Sequence, residues 1–304
     1  MINAIETQTL GDSIPLPLVS IGIPAYNADS TISACIESAL GQSFRDIEII
    51  ISDNASSDRT SEICLEFQER DSRIKYFRQV ENIGSLANFN FVLEESRGEF
   101  FRWLAADDIL SANSVSESVG VLETDSKFVA CSSPSVFDYE HSNLKPPVDF
   151  YLEGSQFSRI RSFFANPGRA HGLFYSLVKR EVVIKFPYMH RDFFGWDWCV
   201  VLFLLSSGPF ISAPHTLLIL GSNGVSSTKS IYQNYQLRGL KRILPFHNFV
   251  LYTIRSSQNW SRSSKLLLST SLFFFSFKNL LLETRLIRYK LASIKKYFLR
   301  IFRL

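Results

Sequence analysis

The chain lacks the features that mark disulfide-rich, secreted and membrane-spanning proteins. Its four cysteines form no CxxC pair, which argues against a zinc site or a disulfide framework and indicates a reducing compartment. They are Cys35, Cys64, Cys131 and Cys199. No run of about 20 apolar residues is present, and the N-terminus shows neither the basic nor the apolar segment of a signal peptide. We therefore expect a cytoplasmic protein.

The sequence also lacks the glycine-rich loops that bind cofactors in other α/β proteins. No GxGxxG follows the first predicted strand and no GxxxxGK[ST] occurs, which argues against a Rossmann dehydrogenase and a P-loop NTPase. The net charge of +3 is too small to indicate nucleic-acid binding, so we expect no nucleic-acid partner. The 304 residues suffice for one large domain with an appendage.

Short apolar runs that alternate with helical segments dominate the first part of the chain. The runs start at Leu18, Ile47, Ile74 and Phe100, and each has the composition of a strand. This alternation predicts βαβ units and an α/β fold with a mainly parallel, doubly wound sheet. We predict a leader over residues 1–17, the α/β domain over 18–230 and a helical appendage over 231–304.

The regular alternation of apolar runs and helical segments ends after the fourth run. The pattern predicts strands over Phe128–Phe137 and Ala170–Val178, followed by an apolar helix over Trp198–Ser206. Two strands end abruptly at acids, Asp53 and the pair Asp107-Asp108. Because open α/β sheets bind ligands at the carboxyl ends of their strands, both acidic positions are candidate site residues.

Residue chemistry leaves two interpretations open for each acidic position. Asp53 can accept the ring N–H of uracil or thymine, or it can cap a helix that begins near Ser56 or Asp58. Asp107-Asp108 can hold a divalent cation against phosphate oxygens, or it can serve as a pair of capping or turn acids.

Four motifs in order carry a family resemblance. They are Pro24-Ala-Tyr-Asn27, Ser52-Asp-Asn-Ala-Ser-Ser-Asp-Arg-Thr60, Glu81-Asn-Ile-Gly84 and Trp103-Leu-Ala-Ala-Asp-Asp108. Together they closely resemble the family 2 glycosyltransferases of the GT-A (nucleotide-diphospho-sugar transferase) fold. The resemblance covers Leu18 to about Ser227.

The resemblance implies roles for the donor-side residues. It implies that Asp53 contacts the base of a nucleotide-sugar in a pocket lined by Pro24, Ala25 and Tyr26, with Asn82 on a donor-side loop. Asn88 belongs to the same region, where a purely structural role is an equal alternative.

The resemblance also implies a metal site. Asp107 matches the family's ligand for Mg²⁺ or Mn²⁺, and Asp108 matches an acid that braces the loop. The chain departs from the family pattern at Ala105, where an Asp is usual. It also has no late histidine in the matching stretch over Ile219–Ser226. The ribose contact and the third protein ligand of the metal are therefore in doubt.

An inverting transfer needs a base that deprotonates the acceptor hydroxyl. Asp197 is the best candidate because, as in the family, it heads the apolar helix and has aromatic neighbours. Asp192 is its rival, and a helix N-cap is the structural alternative for Asp197.

The resemblance implies an inverting, metal-dependent glycosyltransferase that moves a sugar from a nucleoside-diphosphate sugar, UDP or dTDP favoured, to a glycan acceptor in cell-surface polysaccharide biosynthesis. Two alternatives stay open. One is a polyprenyl-phosphate glycosyltransferase of the same fold. The other is a catalytically silent nucleotide-sugar-binding subunit, suggested by Ala105 and the missing histidine.

The C-terminal region combines an apolar stripe with basic flanks. The stripe comprises Ile287, Leu291, Ile294, Phe298 and Ile301. The flanks include Arg285, Arg288, Lys295, Lys296, Arg300 and Arg303. This pattern predicts an interfacial helix attracted to anionic lipid on the inner face of the cell membrane, which would suit a lipid-linked acceptor. A helical hairpin that packs on the domain or on a partner subunit is the alternative.

Overall fold

A computed structural model of the protein describes most of the α/β region and parts of the C-terminal region. The described residues are 16–137, 152–165, 170–187, 193, 195–221, 247–256, 260–266 and 270. Most of the leader, the boundary expected at residue 230, and the basic stripe over 285–303 lie outside these residues, as does Asp192.

Two β-sheets organise the described part of the chain. Their strands are β1 (Val19–Ala25), β2 (Ile47–Asp53), β3 (Ile74–Arg78), β4 (Phe100–Trp103), β5 (Ile109–Leu110), β6 (Ala130–Ser132), β7 (Ser135–Phe137), β8 (Leu177–Lys179), β9 (Phe210–Ser212) and β10 (Leu218–Leu220). The large sheet has the order β3-β2-β1-β4-β8-β6-β9, and only β8 runs antiparallel to its neighbours. The small sheet has the order β5-β10-β7. The predicted mainly parallel sheet is confirmed.

Helices cover the large sheet on both faces. They are α1 (Ile32–Leu40), α2 (Thr60–Arg70), α3 (Ser85–Glu94), α4 (Ser114–Thr124), α5 (Gln156–Ala165), α6 (Ala170–Phe174), α7 (Arg180–Val183), α8 (Trp196–Ser207) and α9 (His247–Ser256). On β2, Ile49 and Ile51 belong to one hydrophobic core and Ile50 to the other. Burial on both faces explains why these strands read as continuous apolar runs in the sequence.

Two predicted strands differ from the structure. The first half of the strand predicted over Ala170–Val178 is helix α6, because a short apolar run suits either conformation. Packing decides between the two, since the Phe174 ring stacks on Trp103 with centroids 4.8 Å apart.

The strand predicted over Phe128–Phe137 is interrupted at Pro134, which has no N–H to donate to a ladder. The chain there passes from the large sheet to the small one.

The described C-terminal helix α9 packs on α8. Phe249 is fully buried against Trp198, and the Tyr252 hydroxyl donates a 2.6 Å hydrogen bond to the carbonyl of Pro187. Trp260 belongs to the same core. Part of the C-terminal region therefore stabilises the helix that carries Asp197. Of the helices in the described ranges, none combines the length and apolar character that a membrane crossing needs.

Candidate functional site

The motif-bearing strands end at one edge of the large sheet. In the parallel ladders, Ala25 of β1 lies opposite Asp53 of β2, and Gly22 of β1 lies opposite Trp103 of β4. The N–H of Leu104 extends the second ladder with a 2.9 Å hydrogen bond to the carbonyl of Gly22. The segments after β1, β2 and β4 therefore leave the sheet side by side, where a ligand can contact all three.

Asp53 is the most strongly held acid at this edge. Its side chain is 0% exposed. Oδ1 accepts the N–H of Ser56 at 2.8 Å, and Oδ2 accepts the hydroxyl of Tyr76 at 2.9 Å and Nη1 of Arg78 at 3.3 Å. Burial and the bond to Asp53 raise the pKa of Tyr76, so its hydroxyl stays protonated. The carboxylate is thereby fixed in position at the end of β2.

The helix-capping alternative for Asp53 is wrong. Helix α2 begins at Thr60, whose N–H donates a 3.0 Å hydrogen bond to Oδ1 of Asp58. The Thr60 hydroxyl donates to the same oxygen at 2.6 Å. Asp58 therefore satisfies the start of α2, while the carboxylate of Asp53 accepts hydrogen bonds from the turn at Ser56 and from two β3 side chains.

The residues predicted to line the donor pocket lie where β1 ends. Pro24 and Ala25 are its last two residues, and the Ala25 carbonyl accepts the N–H of Asn54 at 2.9 Å. Tyr26 follows with 47% of its surface exposed. An exposed aromatic ring beside a buried acid is a suitable surface for stacking against a base.

The two asparagines of the donor-side region have different surroundings. Asn82 accepts bonds from Asn54 Nδ2 and from the N–H of Gly84, both at 3.0 Å, which is turn chemistry at an exposed loop. Asn88 is buried, donates to the Ser52 carbonyl at 2.9 Å and accepts the Ser52 hydroxyl at 2.6 Å. Its contacts are those of a brace between α3 and β2, which favours the structural interpretation of Asn88.

The acid pair follows β4 and is held by the segment after β10. Asp107 is partly exposed and Asp108 is buried. Oδ1 of Asp108 accepts the N–H of Gly221 at 2.9 Å, so Asp108 does brace the loop. The α-carbon of Gly221 faces Asp107, and a Cβ placed on Gly221 would lie 2.5 Å from Oδ2 of Asp107.

The electrostatics of the pair suit a hard cation. Burial, reinforced by the charge of Asp107, raises the pKa of Asp108 to about 8 against the hydrogen bond from Gly221. Within the described residues Oδ2 of Asp108 is buried without a hydrogen-bond partner. Two neighbouring carboxylates with an unsatisfied oxygen are a donor set that Mg²⁺ or Mn²⁺ fits. The same part of the chain contains no group of three His, Cys, Asp or Glu that could hold a metal without further ligands.

Asp197 lies on α8, in the other half of the domain. The helix begins at Trp196 and its N-cap is Gly195, in the left-handed region with φ of 86°, so the N-cap alternative for Asp197 is wrong. Asp197 is partly exposed in the first turn. Trp196 packs edge-on against Phe174 at 5.4 Å, and Phe174 stacks on Trp103. This aromatic cluster joins α8 to β4, the strand that leads to the acid pair.

Three further residues belong to the site but did not stand out in the sequence. Tyr76 and Arg78 hold Asp53; Arg78 ends β3, so the rule that polar residues at strand ends belong to the site would have found it, whereas Tyr76 lies two residues before the end. Tyr175 packs edge-on against Phe174 at 5.1 Å. Burial and the charges of Asp108, Asp107 and Asp197 raise the pKa of Tyr175. The ionisation of Tyr175 therefore depends on the acid pair and on Asp197. No pattern in the sequence predicts this.

Comparisons with known proteins agree with these motifs. The family model described as "Glycosyl transferase family 2" matches residues 20–185. The chain is 30% identical over 215 residues to WfaP of Escherichia coli, a "UDP-Glc:alpha-D-GlcNAc-diphosphoundecaprenol beta-1,3-glucosyltransferase". That alignment covers 67% of this chain and 76% of WfaP. An uncharacterized glycosyltransferase of Haemophilus influenzae is 27% identical over 188 residues, which cover 59% of this chain and 70% of that protein.

Solved structures share the fold. TarS of S. aureus in complex with UDP-GlcNAc superposes with a TM-score of 0.56 and 13% identity, over 81% of this chain and 74% of TarS. The mannosyltransferase PcManGT of Pyrobaculum calidifontis, in complex with GDP-Man and Mn²⁺, gives a TM-score of 0.58 and 15% identity over 92% of this chain and 76% of that chain. The chain therefore belongs to glycosyl transferase family 2 and has the GT-A fold.

Proposed function

We propose that the protein is an inverting, metal-dependent glycosyltransferase that moves a sugar from a UDP- or dTDP-sugar to a glycan acceptor in cell-surface polysaccharide biosynthesis. One observation carries the proposal. Buried Asp53 and the pair Asp107-Asp108 lie at one sheet edge, and the aromatic cluster connects that edge to the helix of Asp197.

Asp53 would select the base of the donor. A carboxylate offers about four acceptor positions, and the contacts of Asp53 within the described residues use three. The remaining position on Oδ1 would accept the ring N–H of uracil or thymine once neighbouring side chains move to uncover the buried oxygen, and Tyr26 would stack on the ring. Guanine binds in a related fold, as the GDP-Man bound to PcManGT illustrates. Preference for a pyrimidine is therefore a property of this pocket rather than of the fold.

Asp107 would hold the divalent cation and Asp108 would keep its loop in place. When bound, the cation supplies positive charge that stabilises the departing diphosphate. Oxygens of the diphosphate would complete the ligand set, since the described part of the chain contributes two carboxylates and no third protein ligand beside them.

Asp197 would act as the general base. It would accept the proton of the acceptor hydroxyl as that oxygen bonds to the anomeric carbon, opposite the bond to the diphosphate that breaks. Attack from the face opposite the leaving group inverts the configuration. Trp196 and Gly195 fix the first turn of α8, and this support keeps Asp197 in a defined place relative to β4.

The acceptor class is suggested by a relative. WfaP is named for transfer to a sugar-diphosphoundecaprenol, and this supports a lipid-linked glycan as the acceptor of the present protein. Such an acceptor presents a sugar hydroxyl that needs a base. A bare polyprenyl phosphate would need little deprotonation.

A donor panel tests the proposed donor. UDP-, dTDP- and GDP-sugars should be compared by protection against thermal unfolding and by Mn²⁺-dependent hydrolysis. We expect the pyrimidine nucleotides to protect at lower concentrations than GDP-sugars. A preference for GDP-sugars would refute the role of Asp53, and binding without turnover of any donor or acceptor would favour a silent subunit.

The base is tested by Asp197→Asn. Turnover with a lipid-linked glycan should fall about 10²-fold or more while donor affinity stays nearly unchanged, because a base acts in the transition state. Glu181→Gln, at an exposed carboxylate of α7, is the matched control. A mild effect of Asp197→Asn would favour a polyprenyl-phosphate acceptor. The same loss in Asp192→Asn alone would assign the base to Asp192.

A further inference from the structure

The segment after β10 reaches the acid pair through an antiparallel register. Leu218 and Ile219 of β10 pair with Leu110 and Ile109 of β5, the strand that begins directly after Asp108. Extending this register by two residues places Gly221 opposite Asp107. The contacts agree with this placement, because the N–H of Gly221 donates a 2.9 Å hydrogen bond to Oδ1 of Asp108.

The approach of Gly221 to Asp107 leaves no room for a side chain. A Cβ built on Gly221 would lie 2.4 Å from the Asp107 carbonyl oxygen and 2.5 Å from Oδ2, whereas ordinary contact begins at 3.4 Å. The strand side of Gly221 is anchored, since Leu220 pairs with Phe137 of β7. A side chain at 221 would therefore displace both atoms of Asp107, the carbonyl oxygen by about 1.0 Å and Oδ2 by about 0.9 Å (the differences between these distances), so the loop that carries the carboxylate must shift.

We propose that Gly221 is a positioning residue for the metal-binding acid pair. Its N–H holds Asp108 in place, and its missing side chain leaves the space that the Asp107 carboxylate needs to serve as a ligand. This inference rests on the proposed metal-dependent function. It adds a determinant of metal affinity that lies on a different sheet from β4 and carries no ligand atom of its own.

The first test is Gly221→Ala in the full-length protein, with Gly120→Ala as the matched control. A Cβ on Gly120, on the exposed face of α4, meets nothing within 4 Å. Mn²⁺ affinity is read from the loss of the free-ion signal in electron paramagnetic resonance, and UDP affinity from titration with Mn²⁺ and with EDTA. We expect Gly221→Ala to weaken Mn²⁺ binding at least about tenfold, or ~1.4 kcal/mol, with the EDTA titration unchanged. Gly120→Ala should match the wild type.

A double-mutant cycle separates positioning from general damage. If Gly221 acts through Asp107, the loss caused by Gly221→Ala should disappear in an Asp107→Asn background, because the ligand is already impaired. Additive losses in the double variant would overturn the proposal. Wild-type Mn²⁺ affinity in Gly221→Ala, together with reduced Mn²⁺ affinity in Asp107→Asn, would also overturn the proposal. That result would leave the proposed function intact. If Mn²⁺ does not bind to the wild-type protein, both the role of Gly221 and the proposed metal-dependent function are wrong.

Variants of Asp108 keep the proposal testable should Gly221→Ala fold poorly. Asp108→Asn retains an oxygen that can accept the N–H of Gly221, whereas Asp108→Ala removes the acceptor, so Asp108→Ala should bind Mn²⁺ at least about threefold more weakly than Asp108→Asn. Equal losses in the two variants would show that the charge of Asp108 matters rather than its bond to Gly221, and would contradict the proposed clamp.

Discussion

Removing the Asp53 carboxylate should damage both folding and base recognition, and the two effects can be separated. Asp53→Ala would leave the N–H of Ser56 and the hydroxyl of Tyr76 without their acceptor, and Arg78 without its ion pair. Asp53 is 0% exposed, whereas the side chain of Arg78 is 46% exposed and Tyr76 is partly exposed, so water can compensate Arg78 more readily than the buried N–H of Ser56.

The magnitude follows from those contacts. The lost bonds from the Ser56 N–H and the Tyr76 hydroxyl should each cost about 1.5–3 kcal/mol, as hydrogen bonds to charged groups do. The exposed ion pair adds at most about 1 kcal/mol. We therefore expect Asp53→Ala to lower the free energy of unfolding by about 3–7 kcal/mol, a large share of the about 5–15 kcal/mol typical of a domain. Asp53→Asn keeps an acceptor for Ser56 and should cost about half as much.

Urea unfolding followed by circular dichroism measures the stability effect. Arg78→Ala is the matched control and should change the free energy of unfolding by no more than about 1 kcal/mol. Base recognition is then measured with Asp53→Asn under conditions where it is folded, and UDP should lose more affinity than GDP. An Asp53→Ala protein as stable as the wild type would refute the network. Unchanged preference for UDP in Asp53→Asn would refute the contact with the base.

Three further predictions concern pH, the C-terminal helix and the tail. The pKa of Asp108 is raised from 3.8 to about 8 in the folded protein, so between these pH values the folded protein holds a proton that the unfolded chain has lost. The free energy of unfolding of the metal-free protein should therefore fall as pH rises from about 4 to about 8. This dependence on pH should be weaker in Asp108→Asn. Phe249→Ala should lower the free energy of unfolding in urea by about 3–5 kcal/mol. Leu251→Ala, on the exposed face of α9, should change it little. Equal effects of the two substitutions would contradict the packing of α9 on α8. The six basic residues named above, which lie between Arg285 and Arg303, should make the full-length protein co-sediment with anionic liposomes at low salt, each contributing ~1 kcal/mol. A chain that ends at Asn279 should stay in solution with donor binding intact, and equal sedimentation of the two would assign the tail to packing.

The sequence predicted the parts of the fold that local chemistry determines. Buried parallel strands appear as apolar runs, and both Asp53 and Asp107 mark where such a run ends at the sheet edge. Helix α6 was mispredicted because its few apolar residues suit strand or helix equally. Its conformation is decided by Phe174 packing between Trp103 and Trp196, residues that are distant in the chain.

Long-range contacts explain what sequence reasoning missed at the site. Gly221 meets Asp108 across 113 positions in the chain, and their meeting depends on the pairing of β10 with β5. The two-residue strand β5 is too short to show a period. Tyr175 similarly depends on tertiary structure, since it is placed by the packing of α6 and its neighbouring ring Phe174 against Trp196 of α8. Neither residue carries a pattern that could be recognised without the topology.

The central claim is that the Asp107 carboxylate holds a cation against the diphosphate of the donor. Titration of UDP into the wild-type protein and into Asp107→Asn, each with Mn²⁺ and with EDTA, tests it most directly. Asp125→Asn, at an exposed acid after α4, controls for loss of one negative charge. We predict that Mn²⁺ tightens UDP binding at least about tenfold, or ~1.4 kcal/mol, in the wild type and in Asp125→Asn, and has little effect in Asp107→Asn. Superimposable titrations of Asp107→Asn and the wild type in Mn²⁺ would contradict the claim.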